Sequence, residues 1–237
     1  MRKPRIGILG GMGPAATILL QQRVLDAVQA DTDQDHIPLV IDMNPQVPSR
    51  IDFLIRKTGR DPGPVLEQMA QRVQALGVDA IAMPCCTAHH FAPSITSATS
   101  LPFLNMVELT ADAIAQALPR ASWVGILASP ANEHTGLFDK ALGRHGLVPL
   151  YPKPNDRVLA CIEHIKSNGV DSSVISTMQG VADKLIADGV DCLLIGCSEF
   201  SLLSRKLTSE VPIFDTLDVL TNAIITHTIH AASPADA

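Results

Sequence analysis

The chain has 237 residues, 46% apolar and 18% charged, which is length enough to bury a sizeable core in one large or two small domains. A formal net charge of -6 and an aromatic content of only 3% exclude nucleic acid as the main partner, because phosphate-backbone binding needs basic clusters and stacking platforms. No run approaches the roughly 18 uninterrupted apolar residues of a membrane span. The opening MRKPRIGILGGMG reads as a strand entering a glycine loop rather than as a signal peptide. The expectation is a soluble cytoplasmic protein without nucleic-acid or membrane partners, its five cysteines reduced.

In chain order, short apolar runs alternate with longer amphipathic ones, the pattern of βα units and a mostly parallel sheet. Strands are expected at Arg5 to Leu9, Pro38 to Met43, Ala80 to Met83, Trp123 to Leu127, Leu147 to Tyr151 and Cys192 to Ile195. Between the second and third, Val65, Leu66, Met69, Val73 and Leu76 fall at helical spacing and put one stripe on the core.

The second half repeats the first. GVDAIAMPCCT from Gly77 overlies GVDCLLIGCSE from Gly189, so that Cys85 falls on Cys197, 112 positions on. RIGILG at Arg5 matches WVGILA at Trp123, and LPFLNMVELTADAI at Leu101 matches VPIFDTLDVLTNAI at Val211. The fold class expected is α/β, with two pseudo-symmetric lobes, each a mostly parallel sheet flanked by helices. The first lobe would be 1–104, completed by the C-terminal helix 215–237, and the second 105–214. Ligands of open α/β sheets sit outside the carboxyl ends of the strands. Each lobe would therefore present its cysteine at the ligand edge, and a small molecule in the cleft would have a thiol on either side.

Metal, redox and acid/base chemistry compete for these cysteines. Adjacent Cys85 and Cys86, even with His89 and His90, cannot easily chelate one tetrahedral ion, and the chain has no C-x-x-C spacing. A redox pair is disfavoured because the repeat matches Cys85 but not Cys86. Cys161 and Cys192 lie in apolar patterns and read as core. Cys85 and Cys197 each follow a strand and precede a helix, whose N-terminus would lower a thiol pKa. Two such groups could remove a proton from one face of a carbon and deliver one to the other, the chemistry of an amino-acid racemase.

GILGGMGPAAT at Gly7, MNPQVPSR at Met43, MPCCTAH at Met83, the helix around Lys166, GCSE at Gly196 and VPIFDT at Val211 together resemble the aspartate/glutamate racemase family, most of all its aspartate racemases. The resemblance covers nearly the whole chain, except the tail after about His230, expected to be disordered. It implies proton transfer without cofactor or metal by Cys85 and Cys197, with Thr87 and Ser198 as donors to the α-carboxylate. Arg50 and Lys166 would hold the second carboxylate of a dicarboxylic amino acid, and the molecule would be a homodimer. In this chain Cys86 stands where the family usually has asparagine, a weak thiol donor in place of an amide.

The loop GILGGMGP follows a strand and opens a helix, but its spacing is not that of G-x-G-x-x-G. Gly11, Met12 and Gly13 are expected instead to offer backbone N–H groups to a carboxylate. Asn44 follows a strand in the same ligand-facing position. Glu199, two residues past Cys197, could meet the substrate ammonium, orient the thiol or merely cap a helix. His89 and His90 are expected at the surface or behind the site. The alternatives are a racemase of glutamate or another α-substituted acid, and a small-molecule binding protein that has lost catalysis.

Overall fold

The computed structural model describes residues 2–232. Eight strands form two four-stranded parallel sheets. The first contains β1 (Ile6–Gly10), β2 (Leu39–Met43), β3 (Ala80–Ala82) and β4 (Phe103–Leu104), in the order β2-β1-β3-β4. The second contains β5 (Trp123–Leu127), β6 (Val148–Leu150), β7 (Cys192–Ile195) and β8 (Ile213–Asp215), in the equivalent order β6-β5-β7-β8. The internal repeat in the sequence is therefore a repeat of topology, with β3 and β7 in matching central places.

The helices are α1 (Pro14–Asp26), α2 (Gly63–Ala75), α3 (Ala92–Ala98), α4 (Met106–Ala117), α5 (Pro130–Thr135), α6 (Leu137–Arg144), α7 (Asp156–Asn168), α8 (Ser172–Ala187), α9 (Ser198–Ser201) and α10 (Thr216–Ala232). They cover both faces of each sheet, which is why β1 and β7 are buried at every residue and read as continuous apolar runs. Leu66, Met69 and Val73 of α2 are buried as their spacing predicts, whereas Leu76, which follows the helix, is 58% exposed.

Three apolar clusters organise the molecule. A central one joins the inner faces of both sheets, uniting Ile6 and Ile8 with Val124 and Ile126 through α1, α4, α6 and α10. An outer cluster under α2 and α3 backs the first sheet, and another under α7 and α8 backs the second. The two long inner helices are exchanged: α4 follows β4 yet packs on α6 and β8, while α10 follows β8 yet packs on α1 and β4. Each also packs on the other, so the α4/α10 pair ties the halves together. Asp215, grouped in the sequence reading with the C-terminal helix, closes β8.

The edge strands β4 and β8 went unassigned in the sequence. They have two and three residues, are half-buried for the most part and follow Pro102 and Pro212 directly. The tail expected after His230 begins too early, since α10 continues to Ala232; residues 233–237 lie outside those described. No helix among the described residues is long and apolar enough to cross a membrane.

Candidate active site

Beyond β3 the chain enters a turn in which Cys85 and Cys86 diverge. Cys85 packs with the outer cluster of the first half and Cys86 with the central core. Cys85 borders a small cavity of about 40 Å³, and Cys197, just beyond β7, borders the same cavity. Met12, Arg50, Thr87, Lys166 and Glu199 also line it. An outer groove of about 640 Å³ shares Met12, Arg50, Lys166 and Glu199 and adds Gly11 and Gly13. The cavity is thus the inner end of a cleft whose mouth is the glycine loop.

Polar side chains buried behind both cysteine turns fix them. His89 is 3% exposed; its Nε2 accepts the N–H of Met106 at 3.2 Å, so Nδ1 carries the proton and donates to the Cys85 carbonyl at 2.9 Å. Burial lowers its pKa from 6.5 to about 4, so the ring is neutral. In the other half the Asn132 amide donates to the Gly196 carbonyl at 3.0 Å, next to Cys197. His89 thus lies behind the site and His90 at the surface, the two places expected for them.

Cys197 is 5% exposed and its Sγ donates to Glu199 Oε2 at 3.1 Å. Burial, then the Glu199 charge, push this thiol well above its ordinary pKa. This overturns the expectation of activation by a helix N-terminus: α9 has only four residues, and desolvation beside a carboxylate outweighs whatever it contributes. Glu199 Oε1 faces Lys166 Nζ at 3.4 Å. Burial works against the Lys166 ammonium, but Glu199, then Cys197 and Cys85, more than compensate and its pKa is raised.

Arg50 has much of its donor capacity committed. Its Nη1 donates to the carbonyls of Val47 at 3.1 Å and Pro48 at 2.8 Å, and its Nη2 to Met12 at 3.3 Å. It ties the segment after β2 to the glycine loop while still bordering the cavity. Gly11 has φ +91, and a Cβ there would lie 2.4 Å from the Asn44 backbone, so only glycine fits. Its N–H donates to Thr17 Oγ1 at 3.0 Å, a donor committed within the loop rather than free for a carboxylate.

Three expected contacts line neither the cavity nor the outer groove. Cys86 needs the clearest correction: its Sγ lies 3.4 Å from Thr216 Oγ1, whose own proton goes to the Ile195 carbonyl, so Cys86 is the donor and faces inward. Ser198 is 1% exposed in the turn after Cys197. Asn44 Oδ1 accepts the N–H of Gln46. Conversely, Ser49, Ile51, Ser129 and Ile162 line the cavity without having been singled out. Two carried a signal: Ser129 occupies the place after β5 that Gly11 occupies after β1, and Ile162 precedes Lys166 by one helical turn.

The model of the Asp/Glu/hydantoin racemase family matches residues 9–224, which include every residue around the cavity. The chain belongs to this family. Among its relatives, the broad-specificity amino-acid racemase RacX of Bacillus subtilis (strain 168) is 26% identical over 228 residues, 93% of this chain and 96% of that protein. The structure of Picrophilus torridus aspartate racemase superposes with a TM-score of 0.83 at 27% identity, covering 95% of this chain and 94% of that one. A glutamate racemase from Francisella tularensis subsp. tularensis SCHU S4, in complex with D-glutamate, shares the fold, with a TM-score of 0.67 at 12% identity over 97% and 82% of the two chains. Family and fold both make this an α/β racemase.

Proposed function

We propose that this racemase interconverts L- and D-aspartate without cofactor or metal, by proton transfer between Cys85, the α-carbon and Cys197. The observation that supports this most is that the two cysteines, from equivalent turns of the two halves, border one cavity together with Arg50 and Lys166. A dicarboxylic amino acid bound there has its second carboxylate beside two cations.

In this mechanism Cys197 starts as the thiol, held by Glu199, and Cys85 as the thiolate. Cys85 takes the α-proton of the enantiomer that presents it, and Cys197 gives its proton to the opposite face. For the other enantiomer the roles exchange. An α-proton beside a carboxylate is far less acidic than a thiol, and the enclosed site must stabilise negative charge developing on that carboxylate. Backbone donors of Met12 and Gly13 and the Thr87 hydroxyl are the groups we assign to it.

The test is α-proton exchange and racemisation of aspartate in deuterated water with wild type, Cys85→Ser and Cys197→Ser. Each substitution should lower racemisation by at least about a thousandfold, the scale of losing a positioned acid or base. Near-normal rates in either variant would remove the two-thiol mechanism. RacX supports a second reading, a wider substrate range, which the same assay separates by substituting glutamate, alanine and lysine for aspartate.

A further inference from the structure

Lys166 stands between two demands. Its side chain, 43% exposed, borders both the inner cavity and the outer groove. Its salt-bridge partner is Glu199, a side chain 8% exposed. One oxygen of that carboxylate accepts the Cys197 thiol, while the other is buried at 3.4 Å from Lys166 without an aligned hydrogen bond among the described residues. Arg50 is tethered to three carbonyls, so Lys166 is the cation with freedom to turn.

A carboxylate that receives a proton from Cys197 must surrender its own negative charge. An ammonium beside it opposes that transfer. Lys166 also favours the thiolate that would result, but the charge it faces directly, at 3.4 Å, is that of Glu199, so the net effect is restraint.

We propose that Lys166 restrains Glu199 until a substrate with a second carboxylate draws the ammonium away, so that dicarboxylic amino acids switch on the acid/base pair they use. This deepens the two-thiol reading and rests on it. The step is balanced for the enantiomer whose α-proton faces Cys197, with Cys85 as the thiol: the S–H bond of Cys197 breaks, an O–H bond forms on Glu199 Oε2, the resulting thiolate takes the α-proton, and Cys85 gives its proton to the opposite face. No other reactant is needed. Lys166 is then a specificity-determining residue that acts on rate as well as on affinity.

The proposal differs from a simple carboxylate pocket in the sign of one effect. Lys166→Met should lower exchange on aspartate, as a pocket also requires, but should raise α-deuterium incorporation into alanine at saturation by about two- to fivefold, the range of a partly exposed ion pair. Lys166→Gln should behave alike, and guards against a fold defect peculiar to methionine. Lys166→Arg, which keeps a cation beside Glu199, should show no gain.

In a Glu199→Gln background the gain from Lys166→Met should vanish. An unchanged or slower alanine rate in both Met and Gln variants that unfold at the wild-type temperature overturns the inference, as does a gain that persists in the Glu199→Gln background. If both variants unfold early, alanine exchange is compared in wild type with and without succinate, which supplies carboxylates but no exchangeable amino-acid proton. Acceleration by succinate supports the switch, and its absence overturns it. Failure of wild type to exchange aspartate at all sinks the underlying reading as well, an outcome recognisable before any Lys166 variant is made.

Discussion

Two neighbours in the cysteine turns show how far one position in the chain changes a side chain's chemistry. Cys85 borders the cavity, whereas Cys86 is 2% exposed in the central core, with burial pushing its thiol far up from the ordinary value. Cys86→Ala should leave aspartate exchange intact and cost about 1–2 kcal/mol in urea unfolding, for one weak hydrogen bond and the vacated sulfur volume. The asparagine that the family pattern invites would instead bury an amide in the central apolar cluster. His89 carries a pH dependence of its own. Its folded pKa of about 4 lies below the unfolded 6.5, so the unfolded chain binds more protons between those values and stability falls as pH drops through that window. The loss reaches about 3 kcal/mol at and below pH 4. Unfolding free energies from pH 4 to 7 should flatten in His89→Gln, and an unchanged slope would assign the pH dependence elsewhere.

Two arginines join elements of the opposite halves with unequal weight. Arg23 of α1 is 6% exposed; it pairs with Asp215 at 2.9 Å and donates to the Ser201 carbonyl at 2.9 Å. Asp215 in turn accepts from Ser201 at 2.6 Å and Ser204 at 2.7 Å, holding the short α9 that carries Glu199. Arg23→Ala leaves a buried carboxylate unmatched and should cost about 3–5 kcal/mol in urea unfolding. Arg56, by contrast, is 52% exposed and reaches Glu163 of α7 at 2.8 Å. Arg56→Gln should barely move the unfolding midpoint, since water and salt already compete for both groups. The distinction was not legible in the sequence. Nothing in the local pattern of Arg23 says that its partner lies 192 positions away, because an ion pair of that separation exists only once both sheets have formed.

At the scale of the molecule, what the sequence made legible was whatever recurs locally. The central strands β1, β3, β5 and β7 were readable from apolar runs, and the two cysteine turns from the repeat. The edge strands β2 and β6 were readable too, but β4 and β8 were missed because two or three largely half-buried residues after a proline carry too little pattern. The site was legible in its thiols and cations, but not in Ser129 and Ile162, which depend on how the halves close. The exchanged helices explain why those halves act as one body. Removing residues 216–237 deletes Leu217, Leu220 and Ile224, all fully buried. At about 1.5–3 kcal/mol each, their loss rivals the whole net stability of a domain. Such a truncation should show no cooperative urea transition, and a sharp one would mean that the halves are independent.

The exchange of α4 and α10 has a consequence for synthesis on the ribosome. The first sheet is complete once β4 has emerged, yet the helix that packs on α1 and β4 is α10, translated after every other described element. More than a hundred residues separate Leu104 from Thr216. At roughly 5–20 residues per second, the inner face of the nascent first half waits on the order of ten seconds for its cover. During that interval Ile6, Ile8 and Leu20 form an apolar surface that only a chaperone or the arriving second half can shield.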